Sequence, residues 1–107
     1  MAKGSGMTPT RIAEIERIRT MVLDALGPRD AAVILFGSCA TGEAVRSSDI
    51  DVAILPRDAD FPNGFFADLR EAFEESTIPY NVDLVDLRSA DPDFRRRIEK
   101  EGVWSRR

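Results

Sequence analysis

The sequence predicts an α/β fold of the α+β kind, a small mixed sheet packed against helices, and three observations carry that prediction. Apolar residues recur at helical spacing in three separate stretches. Between those stretches lie three short runs rich in branched apolar residues, each bounded by a turn signal. The linker joining the first two runs is roughly a dozen residues and lacks a full crossover helix, which favours antiparallel pairing of those two strands.

Taken in order, Thr8-Pro9 is a helix entry, with Thr as cap and Pro at the first helical position. Ile15, Ile18, Val22 and Leu26 form the apolar stripe of that helix, and Gly27-Pro28 stops it. Ala31 to Phe36 reads as a buried strand broken by Gly37-Ser38, and Cys39 to Glu43 as a short helical turn or loop. Ile50 to Leu55 is a second strand ended by Pro56, which cannot donate to a ladder. Asp58 to Gly64 is a polar connection in which Phe61 is unusual, and Asn63 is the expected cap of a helix carrying Phe66, Leu69 and Phe73 to about Ser76. Pro79 precedes a strand from Tyr80 to Leu87, and Asp91-Pro92 opens a final helix with Phe94 and Ile98. Trp104 is expected to pack back on the body. Residues 1–7 read as a tag or a disordered start, leaving residues 8–107 as one domain.

Composition removes several functional classes. The single Cys39 rules out an internal disulfide framework, and the absence of His with it rules out Cys/His zinc sites and histidine-dependent triads. Any metal must be a hard cation on oxygen ligands, which favours Mg or Mn. A formal charge of −4 argues against non-specific nucleic-acid binding, with Arg95-Arg96-Arg97 and Arg106-Arg107 as the one basic candidate. No run is apolar enough to span a bilayer and no secretory h-region is present, so a cytoplasmic protein is expected.

Asp49-Ile50-Asp51 is the centre of the functional reading. Two residues apart on a strand, the two acids project to one face, while Ile50, Val52 and Ile54 project to the other. Two such carboxylates repel unless a cation lies between them, which suits metal ions bridging carboxylate and phosphate oxygens. Asp83 places a third acid inside an apolar strand, where it is costly unless paired or metal-bound. Asp86 falls on the opposite face and reads as a cap or a solvent-facing group. Gly37 permits a tight turn with close ligand approach, Ser38 offers a hydroxyl to phosphate oxygens, and Gly42 gives further clearance. No Gly-Lys-Ser or Gly-Lys-Thr step is present, so this is not a Walker A loop. Arg46 and Arg57 are candidate phosphate or base contacts, although such arginines are more often solvated surface.

Leu35-Phe36-Gly37-Ser38-Cys39-Ala40-Thr41-Gly42, followed by Ser48-Asp49-Ile50-Asp51-Val52 and by Pro79-Tyr80-Asn81-Val82-Asp83-Leu84, resembles the signature of the DNA polymerase β-like nucleotidyltransferase superfamily. More closely it is similar to the minimal nucleotidyltransferases (MNT) that act as antitoxins beside a helical HEPN-type partner. The resemblance implies a polymerase β-like fold over residues 8–107, with Asp49, Asp51 and Asp83 as catalytic metal ligands and Gly37, Ser38 and Gly42 at the nucleotide. It implies Mg or Mn as cofactor, ATP as substrate, and AMP transfer to a hydroxyl, a tyrosine of the HEPN-type toxin being the leading candidate. Cys39 and Thr41 depart from the pattern, standing where relatives often carry basic residues. Two other readings fit the same chain: a non-catalytic module that masks its partner, and a small-molecule nucleotidyltransferase. Self-association is a further way to cover an open site.

Overall fold

Thr8 caps the first helix through its side-chain oxygen, which accepts from the Arg11 N–H at 3.1 Å, and Pro9 occupies the first turn. The structure is a computed structural model and describes residues 8–37, 49–57 and 61–102. Ser38, Cys39, Thr41, Gly42, Arg46, Trp104, Arg106 and Arg107 therefore lie outside the described residues. The elements are α1 (Pro9–Leu26), β1 (Ala31–Phe36), β2 (Ile50–Pro56), α2 (Phe65–Glu75), β3 (Val82–Asp86), a 3-10 turn (Leu87–Ser89) and α3 (Pro92–Glu101). Among the described residues no helix is long and apolar enough to cross a membrane.

The sheet runs in the order β1-β2-β3 and is mixed. β1 and β2 are antiparallel, from Ala31↔Pro56 to Phe36↔Asp51, the pairing that the linker favours. β3 lies parallel to β2, from Ile50↔Val82 to Ile54↔Asp86, and α2 makes the crossover between them. Strand alternation then builds two apolar layers. Val33, Leu35, Ile50, Val52, Ile54 and Leu84 join Ile15, Ile18, Val22 and Leu26 of α1 and Leu69 and Phe73 of α2 in the larger one. Ala32, Ile34, Ala53 and Leu55 meet Leu87 and Ile98 on the other face, with Phe36 and Phe94 packed alongside.

Three boundaries differ from the sequence reading. Asn63 does not cap α2; Gly64 holds that position with no side-chain cap bond. Aromatic packing sets the start instead, because Phe61, Phe65 and Phe66 are all buried in consecutive edge-to-face contacts at 5.0 and 5.4 Å. The same cluster accounts for Phe61 in an otherwise polar connection. β3 is also shorter than Tyr80 to Leu87. Tyr80 is held outside the ladder under the guanidinium of Arg11, 4.4 Å from the ring centroid. At the other end Asp86 accepts from the Arg88 N–H at 3.0 Å and turns the chain, so that fully buried Leu87 drops into the second core. Pro56 is the last residue of β2, rather than the first beyond it.

Arg11 went unrecognised as a core residue. It is only 1% exposed and continues the α1 stripe one helical step before Ile15. The four-residue spacing from Ile15 was the available signal, and a hydrophobic pattern discards it because the residue is charged.

Candidate active site

The mixed topology brings the end of β1 and the starts of β2 and β3 to one end of the sheet. Asp51 is paired with Phe36 on one side and with Asp83 on the other. Both partners share its face, so the Asp51 and Asp83 carboxylates stand side by side on it. Asp49 precedes β2 and is exposed; Asn81 Nδ2 donates to its Oδ1 at 3.5 Å, while the Ile50 N–H donates to the Asn81 carbonyl at 2.9 Å. Gly37, directly after Phe36, has a φ of 76°. A Cβ there would overlap Asp51 Oδ2 and stand 3.2 Å from its Cγ. The glycine turn and the half-buried carboxylate are therefore in direct contact, and only glycine satisfies both the dihedral and the space.

Crowding leaves an electrostatic mark. The Asp51 carboxyl is pushed up from 3.8 to about 6, first by burial, then by Asp83 and then by Asp49. Because the folded value exceeds the unfolded one, Asp51 favours folding most at low pH, and that contribution is lost as pH rises from about 4 to about 6. Discounted for its partial exposure, the penalty at neutral pH is on the order of 1–2 kcal/mol. Asp51→Asn is accordingly expected to raise stability to urea at pH 7.5 and to leave it nearly unchanged at pH 4. Equal stabilisation at both pH values would show that charge repulsion is not the cause.

Asp86 behaves in the opposite sense. Burial raises its carboxyl, but hydrogen bonds from the Arg88 side chain and backbone outweigh that and hold it below the usual range. Arg88 Nη2 lies 2.9 Å from Asp86 Oδ2. This acid closes the 3-10 turn, as the cap reading had it, and stays off the face of Asp83. Arg57 is not placed for phosphate. It follows β2 at the far end of the sheet, where its N–H donates to the Asp30 carbonyl at 2.9 Å and its guanidinium lies 3.9 Å from the Asp30 carboxylate. On α3 the basic run is partly matched within its own helix: Arg95 meets Glu99 at 3.8 Å, Arg96 pairs with Asp93, and Arg97 lies over Phe94.

A cleft of about 710 Å³ opens beside Asp49 and Asp83 and between β3 and α2, lined also by Asn81, Arg70 and Glu74 but not by Asp51. The carboxylate donors of Asp49 and Asp83 are all oxygens, the right chemistry for a hard divalent cation. Among the described residues, however, no three Asp, Glu, His or Cys side chains are gathered as a ready ligand set. The arrangement offers carboxylates crowded enough to attract a cation, next to a turn that admits a ligand closely.

Comparison with known proteins identifies the lineage of this arrangement. The family model described as polymerase beta, nucleotidyltransferase matches residues 28–104. The chain is 40% identical over 89 residues to the "Probable protein adenylyltransferase MntA" of Haemophilus influenzae, covering 81% of this chain and 74% of that protein. It is 36% identical over 79 residues to the protein adenylyltransferase MntA of Shewanella oneidensis, covering 72% of this chain and 55% of that protein. Among solved structures, a toxin–antitoxin crystal structure with AMP-PNP superposes with a TM-score of 0.66 at 32% identity, covering 86% of this chain and 74% of the matched one. A tri-AMPylated Shewanella oneidensis HEPN toxin in complex with its MNT antitoxin superposes with a TM-score of 0.62 at 27% identity, covering 91% of this chain and 73% of the matched one. The two-sided mixed sheet and the matches over most of its length agree: this chain belongs to the polymerase beta nucleotidyltransferase family, as a homologue of the MntA antitoxins of HEPN/MNT toxin–antitoxin pairs.

Proposed function

We propose that this chain transfers AMP from ATP to a tyrosine hydroxyl of a helical HEPN-type toxin and thereby acts as its antitoxin. The observation that carries the reading is the register in which Asp51 stands between the strand that ends at Gly37 and the strand that bears Asp83. The AMPylated HEPN toxin in a related complex, and the protein adenylyltransferase relatives, support a HEPN-type toxin as the acceptor protein.

In this reading Asp49, Asp51 and Asp83 hold Mg or Mn, while Gly37, with Ser38 and Gly42 beyond it, leaves room for the triphosphate. The metal, when bound, supplies neutralisation of phosphate charge and lowers the pKa of the attacking hydroxyl. Gly37 keeps the β1 turn from obstructing the Asp51 carboxylate. Asp83 accepts a hydrogen bond from the acceptor hydroxyl and takes its proton. The hydroxyl oxygen forms a bond to the α-phosphorus, the α-phosphorus–oxygen bond to the β-phosphate breaks, and pyrophosphate leaves. Asn81 steadies Asp49 through the amide contact.

Mass spectrometry of the co-purified partner after incubation with ATP and Mg tests the proposal. One or more AMP units should appear on the partner. Asp83→Asn should abolish the added mass, whereas Asp86→Asn, which disturbs only the Arg88 turn, should leave transfer within about threefold of wild type. A stable complex that never gains mass would favour masking without catalysis. A lone chain that adenylates a small metabolite would favour the small-molecule reading.

A further inference from the structure

The outer edge of β3 has a polarity that can be read residue by residue. The Ile50 N–H donates to the Asn81 carbonyl, so the Asn81 peptide faces β2. Alternation turns the Val82 and Leu84 peptide groups outward and the Asp83 peptide inward. The bond from Arg70 Nη2 to the Leu84 carbonyl, at 3.0 Å, lies on that outer side and fits this assignment. Among the described residues no strand pairs there, since β3 is the last strand of the sheet. The cleft of about 710 Å³ is lined by Val82, Asp83 and Leu84 of this strand and by Asp49.

We propose that the outer edge of β3 is the docking rail for the acceptor, taking an extended, basic segment of the partner as an added strand. This rests on the transfer reading and names where its acceptor binds. Main-chain pairing would run through the outward Val82 N–H and carbonyl and the Leu84 N–H, the Leu84 carbonyl already accepting from Arg70. A residue opposite Asp83 in such a strand projects to the face of Asp83, with Cβ atoms about 5 Å apart. A hydroxyl-bearing side chain at that register is thereby delivered to the carboxylates, and a neighbour one residue away is not. Charge fixes the chemistry of the segment: among the described residues Asp49, Asp83 and Glu74 line the cleft with a single arginine, Arg70, which is turned onto the Leu84 carbonyl. The described C-terminal end of this chain is not the occupant, because Gly102 packs against Ile34 and Leu35 of β1, the opposite edge strand.

The probes are a short extended peptide with a central tyrosine flanked by lysines, its glutamate-flanked counterpart, and the lysine peptide with backbone N-methyl groups at alternate positions. AMP incorporation from ATP and Mg gives KM and kcat for each, and calorimetry gives Mg–ATP binding separately. The lysine peptide should have a KM at least about tenfold below the glutamate peptide. Alternate N-methylation, in the phase that faces β3, should raise KM by a similar factor with kcat little changed. Val82→Pro, which deletes an outward N–H without removing a bond to β2, should do the same while Mg–ATP binding stays at wild-type strength. Glu74→Arg should reverse the preference between the two charged peptides. Equal KM values for methylated and plain peptides, or for both charges, overturn the inference. So does intact Mg–ATP binding with no transfer to any peptide, which leaves the transfer reading standing. Failure to bind Mg–ATP at all sinks that reading instead. A wild-type dimer converted to monomer by Val82→Pro shows that a second copy of this chain occupies the edge, and also overturns the inference.

Discussion

Replacing Asp49 and Asp51 together by Asn is expected to abolish the calorimetric heat of Mg–ATP binding and to lower AMP transfer by about a thousandfold or more. The magnitude follows from the several kcal/mol that divalent ions contribute to phosphoryl transfer, each 1.36 kcal/mol being about tenfold in rate. Asn keeps the shape of Asp and loses the charge, so a folded protein should remain. Stability at pH 7.5 should in fact rise, because the repulsion and burial that push the Asp51 carboxyl up to about 6 are removed. Loss of function joined to gain of stability is the diagnostic pair. A structural carboxylate would lose both, and a solvated one neither. Wild-type heats from the double variant would falsify the assignment of the metal to these residues.

Gly37→Ala should be nearly as damaging to transfer for a different reason. Its φ of 76° lies where an L side chain costs about 1–2 kcal/mol. The new Cβ would also overlap Asp51 Oδ2. Rotation of the carboxylate relieves that overlap cheaply, but Cγ at 3.2 Å keeps the contact tight, so Asp51 or the turn has to shift. Misplacement of a reacting geometry by about 1 Å costs on the order of a hundredfold in rate. Urea denaturation should therefore show a modest loss of stability while single-turnover transfer shows a large loss of rate. Full activity in Gly37→Ala would mean that the turn and the carboxylate do not work as one unit.

The sequence made the site more legible than the edges of the elements. Period-two alternation was enough to separate Asp83 from Asp86, because it depends only on strand geometry, but it does not reach Asp49, which precedes β2. The antiparallel β1–β2 pair was favoured by the length of the linker together with its lack of a full crossover helix. Element ends depend instead on tertiary contacts that no local pattern contains. The start of α2 is set by the packing of three phenylalanines rather than by Asn63. Tyr80, the first residue expected in β3, is instead stacked under Arg11. The place of β3, parallel and beside β2, was equally hidden, since it rests on the crossover through α2 rather than on any local signal.

The two kinds of pairing within the sheet also impose an order on how the site comes into being. Phe36 and Asp51 meet across a short antiparallel connection, whereas Asp83 arrives only after α2 has carried the chain over the sheet. Closing the shorter loop costs less chain entropy, so the β1–β2 pair can form while the chain is still being synthesised. A nascent chain at that stage already owns the glycine turn and two of the acids, but not the third. On the proposed division of labour it could grip a nucleotide before it could hand anything on, and catalytic competence would switch on with the arrival of a single late strand.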